Sequence, residues 1–136
     1  MPNRIPARRS GCPIGLALDI IGDRWTLLVI RDMALFGKRT YSEFLDSEEG
    51  IATNVLSERL KRLERDGTIV VAPDPTDARR KHYSLTPKGW DLVPVLVELA
   101  LWTARHRSDS DAPAGFVEKA DDDRPGLMAW LMEVWS

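Results

Sequence analysis

Apolar side chains recur at intervals of three and four residues along much of the chain, which predicts several amphipathic helices. A first helix is expected to begin near Cys12, with Pro13 at a favoured first-turn position, and to end around Gly22. Asp23 then caps a second helix, predicted over residues 24–35. The apolar residues at helical spacing over residues 25–36 should face the core: Trp25, Leu28, Val29, Met33 and Phe36.

The middle of the chain predicts two further helices in close succession. Thr40, followed three residues later by Glu43, forms a capping-box pattern, so a short third helix should start there. The stretch IATNVLSERLKRLERDG, residues 51–67, is predicted as the fourth helix, ended by Asp66 and Gly67. Three leucines on one side of it should pack on the core: Leu56, Leu60 and Leu63.

After the fourth helix the helical spacing gives way to strand patterns. Residues 68–72 are rich in β-branched side chains, and residues 73–77 contain two prolines and two aspartates, as turns do. Residues 81–85 alternate between polar and apolar positions. The pattern predicts a β-hairpin with three cations at its tip: Arg79, Arg80 and Lys81.

The last part of the chain returns to helical spacing. Thr86 and Pro87 predict a helix start, and the helix should continue to about His106, kinked or split by Pro94. Between residues 92 and 102 only Glu98 is charged, so this helix must be buried on more than one side. A second copy of the chain is the simplest cover for the further side. Residues 108–115 are typical of a polar linker, and residues 116–136 predict one or two short helices.

The polar face of the fourth helix is the main candidate for binding. At about 100° per residue, one exposed side collects five polar residues: Asn54, Ser57, Glu58, Lys61 and Arg62. An amide and a hydroxyl near the helix start, with cations farther along, suit a helix that reads base edges and meets phosphates. A merely solvated surface is the alternative. Arg59 falls within the apolar arc, so we expect it to snorkel or to pair with an acid.

The order of these elements favours one fold class. Two helices, a short capped helix, a polar-faced helix and a hairpin with a basic tip together predict a winged helix-turn-helix, mainly α with a small β-hairpin. The hairpin tip is where a wing would meet the DNA backbone, and cations suit that position. A solvated loop is the alternative for the tip alone.

Chain length and charge distribution define the domain organisation. A chain of 136 residues forms one domain with a possible appendage, and its net charge is −2. Residues 1–107 contain 17 Lys and Arg against 14 Asp and Glu, a net +3, whereas residues 108–136 contain 2 against 7, a net −5. We therefore divide the chain into a flexible tail (1–11), a DNA-binding domain with dimerisation helices (12–107), and an acidic linker with a helical extension (108–136).

The chain also resembles the HxlR-type family of bacterial transcriptional regulators, a winged-helix group close to the MarR family. The resemblance rests on segments in unbroken order: Cys12-Pro13, Gly22-Asp23-Arg24-Trp25-Thr26, Arg39-Thr40-Tyr41-Ser42-Glu43-Phe44, Gly50-Ile51, Val55-Leu56-Ser57-Glu58-Arg59-Leu60, Leu63-Glu64, Gly67, Tyr83-Ser84-Leu85-Thr86-Pro87-Lys88-Gly89, Trp102 and His106. It implies a homodimer on a roughly palindromic operator in double-stranded DNA. Ala52 stands where the family often has a capping serine, which leaves Thr53 as the alternative cap.

From the pattern and the resemblance together we predict two sets of site residues. The DNA-binding set is Lys38, Arg39, Thr53, Asn54, Ser57, Glu58, Lys61, Arg62, Arg79, Arg80 and Lys81. The dimer-interface set, on the first and last core helices, is Ile14, Leu18, Val93, Leu96, Val97, Ala100 and Leu101. The extension is expected to pack across the dimer helices or on the partner subunit, burying Trp130 or Trp135; a loosely ordered extension is the alternative.

Cys12, the one cysteine, matches the position of a family cysteine that senses electrophiles or oxidants in several members. A thiol at a helix N-terminus is favoured as the reactive thiolate. A small inert residue at the dimer seam is the alternative. His82 and His106 lack metal-ligand spacing, and no residue pattern indicates a cofactor or an enzymatic activity.

Other function classes stay open at this point. The chain could be a protein-interaction module without DNA binding, or a receptor for a small aromatic or electrophilic effector. The single cysteine, the absence of a signal-peptide pattern and the short apolar stretches predict a cytoplasmic protein with no membrane partner.

Overall fold

The structure of the chain, a computed structural model, describes residues 10–135. Most of the predicted flexible tail, including Arg4, Arg8 and Arg9, lies outside the described residues. The elements in chain order are α1 (Pro13–Ile21), α2 (Arg24–Ala34), α3 (Tyr41–Leu45), α4 (Thr53–Arg65), β1 (Ile69–Pro73), β2 (Lys81–Leu85), α5 (Pro87–Trp90), α6 (Val93–His106), α7 (Phe116–Asp122) and α8 (Leu127–Val134). The predicted fold class, mainly α with one small hairpin, is confirmed.

Local capping sets the helix starts much as predicted. The Asp23 carboxylate accepts hydrogen bonds from the backbone N–H groups of Trp25 and Thr26 and so caps α2. At α3 the Thr40 hydroxyl and the Glu43 carboxylate form the complete capping box. Because these side chains satisfy N–H groups that would otherwise lack partners, α2 and α3 start where the sequence predicts.

The junction of α4 with the hairpin explains why the first strand begins one residue later than predicted. Gly67 takes a left-handed conformation with φ of +74°, and its N–H bonds the carbonyl of Glu64. The N–H of Thr68 bonds the carbonyl of Leu63, which completes a helix-ending motif of the Schellman type. Thr68 is therefore part of the helix-ending motif that follows α4, and strand pairing begins with Ile69 opposite Leu85.

The predicted long helix after the hairpin is split. α5 ends at Trp90 and α6 begins at Val93, with Asp91 and Leu92 between them. Pro94 occupies the second position of α6, where its missing N–H costs no helical hydrogen bond. The split that we expected from Pro94 is therefore present, and it falls just before the proline.

Two hydrophobic clusters hold the fold together. The winged cluster joins α2, α3, α4 and the hairpin through Val29, Ile30, Met33, Phe44, Ile51, Leu56, Leu60, Leu63, Ile69 and Tyr83. The α6 cluster joins α6 to α7, to α8 and to the end of α2 through Ala34, Val93, Val97, Leu101, Phe116, Ala120, Leu127 and Leu131. Trp25, Leu28 and Phe36, predicted as core, are only half-buried at the edges.

The C-terminal extension packs on α6 of its own chain. Phe116 is 1% exposed and Leu131 is 0% exposed in the α6 cluster. Because α6 is one of the predicted dimer helices, this packing agrees with the first of the two positions expected for the extension. Trp130 and Trp135 remain half-buried, and the Trp135 ring meets those of Phe36 and Phe116 at centroid distances of 6.2 and 6.3 Å. One side of the apolar α6 is thus covered from within the chain. Within residues 10–135, no helix combines the length and the apolar character that crossing a membrane needs.

Candidate nucleic-acid interface

The N-terminus of α4 shows which residue takes the cap position. Ala52 is the cap and supplies no side-chain hydrogen bond, so Thr53 is the first helical residue and not the alternative cap. The side chains of Thr53 and Asn54 are exposed. The first turn of α4 therefore presents exposed polar side chains beside N–H groups that lack a side-chain partner, as a helix end that approaches DNA would.

Farther along α4, two cations continue this exposed surface. Lys61 and Arg65 are exposed, and neither side chain has a hydrogen bond or ion pair to another described residue. Arg65 was not in the predicted DNA-binding set. The helical spacing could have found it, because Arg65 falls within about 20° of Asn54 at 100° per residue.

Ser57 is held by the short helix α3. The Tyr41 hydroxyl donates to the carbonyl of Thr53 over 3.1 Å and lies 3.2 Å from the Ser57 hydroxyl. Tyr41 therefore fixes the position of α4 against α3, a contact that the helical spacing of the sequence does not predict. Ser57 keeps a half-buried place at the edge of the exposed surface.

Asp23 binds two arginines of α4. Its Oδ1 accepts from Arg59 Nε over 2.9 Å, and its Oδ2 accepts from the Arg62 guanidinium over 2.8 Å. Arg62 also donates to the Thr26 hydroxyl over 3.0 Å. The prediction that Arg59 pairs with an acid is confirmed. The prediction that Arg62 faces outward is wrong for this structure, because a carboxylate across the helix pair draws its long side chain inward.

Glu58 closes the same network. Its carboxylate pairs with Arg59 and lies 4.0 Å from the Arg62 guanidinium. Glu58 thus also turns toward the arginines and away from the predicted outward face. Burial acts to raise the pKa of Asp23, but hydrogen bonds from Thr26 and Arg59 outweigh it and hold the pKa well below the usual range. Asp23 is therefore ionised and available as an anchor for α4.

Lys38 and Arg39, predicted to contact phosphate, bind their own chain instead. The Lys38 ammonium donates to the Ser47 hydroxyl over 3.0 Å and lies 3.7 Å from the buried Asp32 carboxylate. The Arg39 guanidinium donates to the carbonyls of Met33 and Lys38 over 2.7 and 2.8 Å. Lys38 thus links α2 to the turn that follows α3, and Arg39 links the end of α2 to the segment before α3. The phosphate contacts expected of these two residues stay predictions.

The predicted wing tip is exposed. The Arg79 side chain is 92% exposed and pairs with Asp77 of the same loop, and Lys81 is exposed without a partner among the described residues. Arg80 donates to Asp74 over 3.2 Å, and Asp74 also accepts from the Thr76 N–H. These aspartates arrange the loop while the cations stay at its surface.

A shallow groove joins α4 to the hairpin. It has a volume of about 290 Å³ and is lined by Ser57, Lys61 and Glu64 of α4 and by Lys81 and Tyr83 of the hairpin, among others. Lys61 and Lys81 therefore border one concave surface. A polar stretch of α4 and the base of the basic tip are thus neighbours across this groove, as a recognition helix and its wing are.

The predicted dimer residues divide into three groups by their exposure. Ile14 and Leu18 on α1 are 71% and 58% exposed, so their apolar side chains are uncovered in the single chain. Leu96 and Ala100 are half-buried beside a groove of about 540 Å³ between α1, α2 and α6. The remaining three are buried under α7 and α8 and cannot form an exposed contact: Val93, Val97 and Leu101.

The exposed apolar stripe of α6 lies on its other side. Val95, Leu99 and Trp102 are 38%, 52% and 63% exposed. At about 100° per residue this stripe lies opposite the buried stripe that the extension covers. The prediction that α6 needs cover on two sides therefore agrees with the structure, but the three residues on the exposed side differ from those predicted.

Cys12 occupies the N-cap position of α1 and is exposed. It forms no side-chain cap hydrogen bond, yet the backbone N–H groups of Gly15 and Ile14 lie where they favour the thiolate, which lowers the pKa of Cys12. Among residues 10–135, no group of three or more His, Cys, Asp or Glu side chains is arranged to hold a metal ion.

The arrangement of α2, α3, α4 and the hairpin defines a winged helix-turn-helix protein. The family model described as HxlR-like helix-turn-helix matches residues 20–111. The chain belongs to this HxlR family of helix-turn-helix transcriptional regulators.

Relatives and solved structures agree with that class. An HTH-type transcriptional regulator of Mycobacterium tuberculosis is 36% identical over 106 residues, which cover 78% of this chain and 66% of that protein, just under two thirds of its length. The crystal structure of the transcription factor PA1607 superposes with a TM-score of 0.68 and 34% identity, covering 77% of this chain and 73% of that one. The oxidised form of the redox regulator HypR superposes with a TM-score of 0.58 and 26% identity, covering 71% and 99%. MarR-family regulators are also among the structures that the chain resembles.

Proposed function

We propose that this protein is a homodimeric, sequence-specific DNA-binding regulator of transcription, a repressor or dual regulator that acts in the bacterial cytoplasm on a roughly palindromic operator. The observation that carries the proposal is the groove that α4 and the hairpin share, which is lined by Lys61 of α4 and Lys81 at the base of the basic tip. A helix in the major groove with a wing on the adjacent backbone requires this arrangement.

Within this interface, residues differ in what they can contribute. Thr53 and Asn54 stand exposed at the helix start, where side chains reach base edges, and an asparagine amide can pair with adenine through two hydrogen bonds. Lys61 and Arg65 have exposed cationic ends suited to phosphates or guanine. Arg79, Arg80 and Lys81 supply the backbone contacts of the wing, whereas Arg62 serves to anchor α4.

Asn54 provides a direct test of base reading. We expect Asn54→Ala to lower the preference for the operator over random DNA by about 1–3 kcal/mol, because one base pair loses its hydrogen bonds. The measurement is fluorescence anisotropy with a duplex from the region upstream of the gene and with a scrambled duplex of equal length. Equal losses on both duplexes would contradict a base-reading role for Asn54.

If the protein binds neither duplex, its operator can still lie elsewhere in the genome, since the upstream region need not contain it. Mapping all genomic DNA fragments that the protein retains shows whether such a site exists. Enriched fragments with a shared palindromic sequence support the proposal. Retention of no fragment would favour the alternative of an interaction module or receptor without DNA binding.

The second copy is proposed to cover the apolar sides of α1 and α6. Leu18 and Leu99 line the same groove between α1, α2 and α6, and both are more than half exposed in the single chain. Burying such side chains contributes about 1.5–3 kcal/mol each, which favours association. Leu99→Glu should yield a monomer in sedimentation equilibrium, while Glu118→Gln, an exposed change on α7, should leave the dimer unchanged.

A response to oxidants or electrophiles through Cys12 is the second candidate function. Its support is the exposed thiol at the start of α1 with a lowered pKa, and the similarity to a redox regulator. Operator affinity should fall or rise on treatment with diamide or a quinone in the wild type and stay constant in Cys12→Ser. An identical response of both proteins would remove Cys12 as the sensor.

A further inference from the structure

The groove between α4 and the hairpin contains a hydroxyl group without a partner. It belongs to Tyr83 of β2, which is 7% exposed and packs its ring against Phe44 at a centroid distance of 5.9 Å. Two residues whose charges act on this hydroxyl, Glu64 and Tyr41, both line the groove, so the hydroxyl lies on the groove side of the ring. It forms no hydrogen bond with another residue of the range 10–135. A polar group placed so deeply calls for a partner from outside the chain.

The other two hydroxyl groups of the groove already use their protons. Tyr41 donates its proton to the carbonyl of Thr53 over 3.1 Å. The contact of 3.2 Å between Tyr41 and Ser57 must therefore take its proton from Ser57. Among the described residues that line the groove, Tyr83 thus has the one hydroxyl proton that is free.

The remaining polar groups of the groove are mostly cationic donors. Lys61 and Lys81 are exposed, and neither side chain has a hydrogen bond or ion pair within the described part of the chain. Glu64 supplies the only carboxylate of the described lining, so two lysines against one glutamate give a net charge of +1. One hydroxyl proton and two ammonium groups match a group that is anionic and has only acceptor atoms. A phosphate is such a group.

The protonation of Tyr83 and the size of the groove agree with this match. Burial, and after it the negative charge of Glu64, raise the pKa of Tyr83, so the hydroxyl keeps its proton at neutral pH. The groove has a volume of about 290 Å³, at the lower end of the roughly 300–1,000 Å³ of sites for drug-sized molecules. A single small anionic group therefore suits it better than a larger ligand does.

We propose that this groove binds one phosphate group of a DNA strand, with the Tyr83 hydroxyl as hydrogen-bond donor and the ammonium groups of Lys61 and Lys81 as opposing charges. The choice of DNA rests on the proposed function, because a strand passes between the two elements when α4 lies in the major groove and the hairpin on the adjacent backbone. Tyr83 is then a DNA contact outside the predicted DNA-binding set. Since every base pair has the same phosphates, this contact contributes affinity and position but no sequence preference.

Tyr83→Phe is the main test, because it removes one oxygen atom and keeps the ring. Its affinity for a duplex of random sequence at low salt should fall about threefold to tenfold, since one hydrogen bond to a charged group is lost. The slope of log affinity against log salt should stay the same, because no charge is removed. An affinity equal to that of the wild type would overturn the proposal.

Tyr41→Phe is the matched control for protein stability. It loses the hydrogen bonds to Thr53 and Ser57 and should melt at a lower temperature than the wild type. Tyr83→Phe should melt at the same temperature as the wild type or higher, because its hydroxyl has no partner within the described chain. A lower melting temperature of Tyr83→Phe would mean that the hydroxyl serves the fold, and would overturn the proposal.

Three charge variants test the rest of the groove on the same duplex. Lys61→Gln and Lys81→Gln should each flatten the salt slope by about one unit, while Lys119→Gln on α7 should leave it unaltered. Glu64→Gln should strengthen binding by about threefold, and a gain of affinity cannot arise from unfolding. Unaltered slopes in both groove lysine variants, or weaker binding by Glu64→Gln, would place the phosphate elsewhere.

A mapped operator allows the phosphate itself to be located. Single methylphosphonate replacements remove the charge of one phosphate at a time. At one position in each half-site, the replacement should cost the wild type more affinity than it costs Tyr83→Phe, since the variant already lacks the contact. Equal costs for the two proteins at every position would contradict the assignment.

The results also separate this proposal from the proposed function. A wild type that binds DNA as well as Tyr83→Phe does removes the phosphate site alone. A wild type that binds no duplex, random or genomic, even at low salt removes both. Calorimetry with inorganic phosphate covers the other source of this group: millimolar binding that Tyr83→Phe weakens, without binding of any duplex, would assign the groove to a small phosphate compound and overturn the choice of DNA.

Discussion

The two hydrophobic clusters of this chain are built from different stretches of sequence. The winged cluster takes all its buried residues from positions 29–83, within the part that matches the family model. The α6 cluster takes four of its eight buried residues from beyond residue 111: Phe116, Ala120, Leu127 and Leu131. The part that carries the candidate DNA interface thus has its own core, whereas α6 depends on the extension for one of its two apolar sides.

Deleting residues 108–136 would break the α6 cluster most severely. Phe116, Leu127 and Leu131 are at most 1% exposed, and each such side chain contributes about 1.5–3 kcal/mol of burial. We expect the truncated chain to aggregate or to melt at a much lower temperature than the full chain in circular dichroism. An unchanged melting temperature and dimer affinity would show that the extension does not support α6.

A matched pair of leucines separates the roles of the two clusters. Leu63 of α4 and Leu131 of α8 are both 0% exposed, so replacing either by Ala should lower the free energy of unfolding by about 2–5 kcal/mol. Below the melting transition only Leu63→Ala should also weaken operator binding, because its cavity lies under α4. Anisotropy measured at a temperature where both variants are folded checks this. Equal losses of DNA affinity would show that the clusters act as one.

The Asp23 network tests whether α4 is positioned by ion pairs as well as by packing. Asp23→Ala removes the α2 cap and leaves Arg59 and Arg62 without their shared carboxylate. We expect a loss of about 1–3 kcal/mol in the free energy of unfolding. Binding to operator and to random DNA should also become more alike as α4 loses its fixed orientation. Asp123→Ala in the extension is the control and should leave that preference unchanged.

Arg80 and Arg105 compare a cation at the wing with one beside the extension. Arg80→Ala should flatten the slope of log affinity against log salt by about one unit, since one phosphate contact is lost. Arg105, which pairs with Asp121, should leave the slope unaltered when replaced by Ala. Titrations at several salt concentrations on one duplex give both slopes. Identical slopes for Arg80→Ala and the wild type would remove Arg80 from the interface.

Replacing Glu49 should give the smallest of these effects, a change in how the stability of the winged part depends on pH. Hydrogen bonds from Arg31, at 2.6 and 2.9 Å, outweigh partial burial and lower the pKa of Glu49 from 4.5 to about 2. Because the folded pKa is the lower one, the pair stabilises the fold fully above about pH 4.5 and loses this contribution as the pH falls to about 2. Melting temperatures of Glu49→Gln should thus fall less steeply with acid than those of the wild type. Parallel curves would contradict the linkage.

Local patterns predicted the backbone well. The capping box at Thr40, the second strand over residues 81–85 and the leucines of α4 follow from neighbours in sequence, so the chain alone determines them. The direction of long side chains does not follow in this way. Arg62 lies near the boundary between the polar and apolar arcs of α4. Its side chain turns inward because it pairs with Asp23, 39 residues earlier in the chain. No local pattern contains that information.

The packing of α6 is a second feature that local patterns in the sequence do not determine. An apolar circumference predicts that α6 is buried on two sides, but not which partner covers which side. The extension takes the side of Val93, Val97 and Leu101, and only then does the stripe of Leu99 and Trp102 become the exposed one. That assignment depends on contacts of α6 with the later helices α7 and α8, which helical spacing within α6 does not encode.

The dependence of α6 on the extension also has a consequence for synthesis on the ribosome. Chains grow from the N-terminus, so the residues of the winged cluster are all made before those of α7 and α8. The winged part can then fold while Val93, Val97 and Leu101 still lack their cover. For the time that roughly 30 further residues take to be added, at about 5–20 residues per second, the nascent chain carries an uncovered apolar helix. Ribosomes that stall in this interval should release products that associate with chaperones.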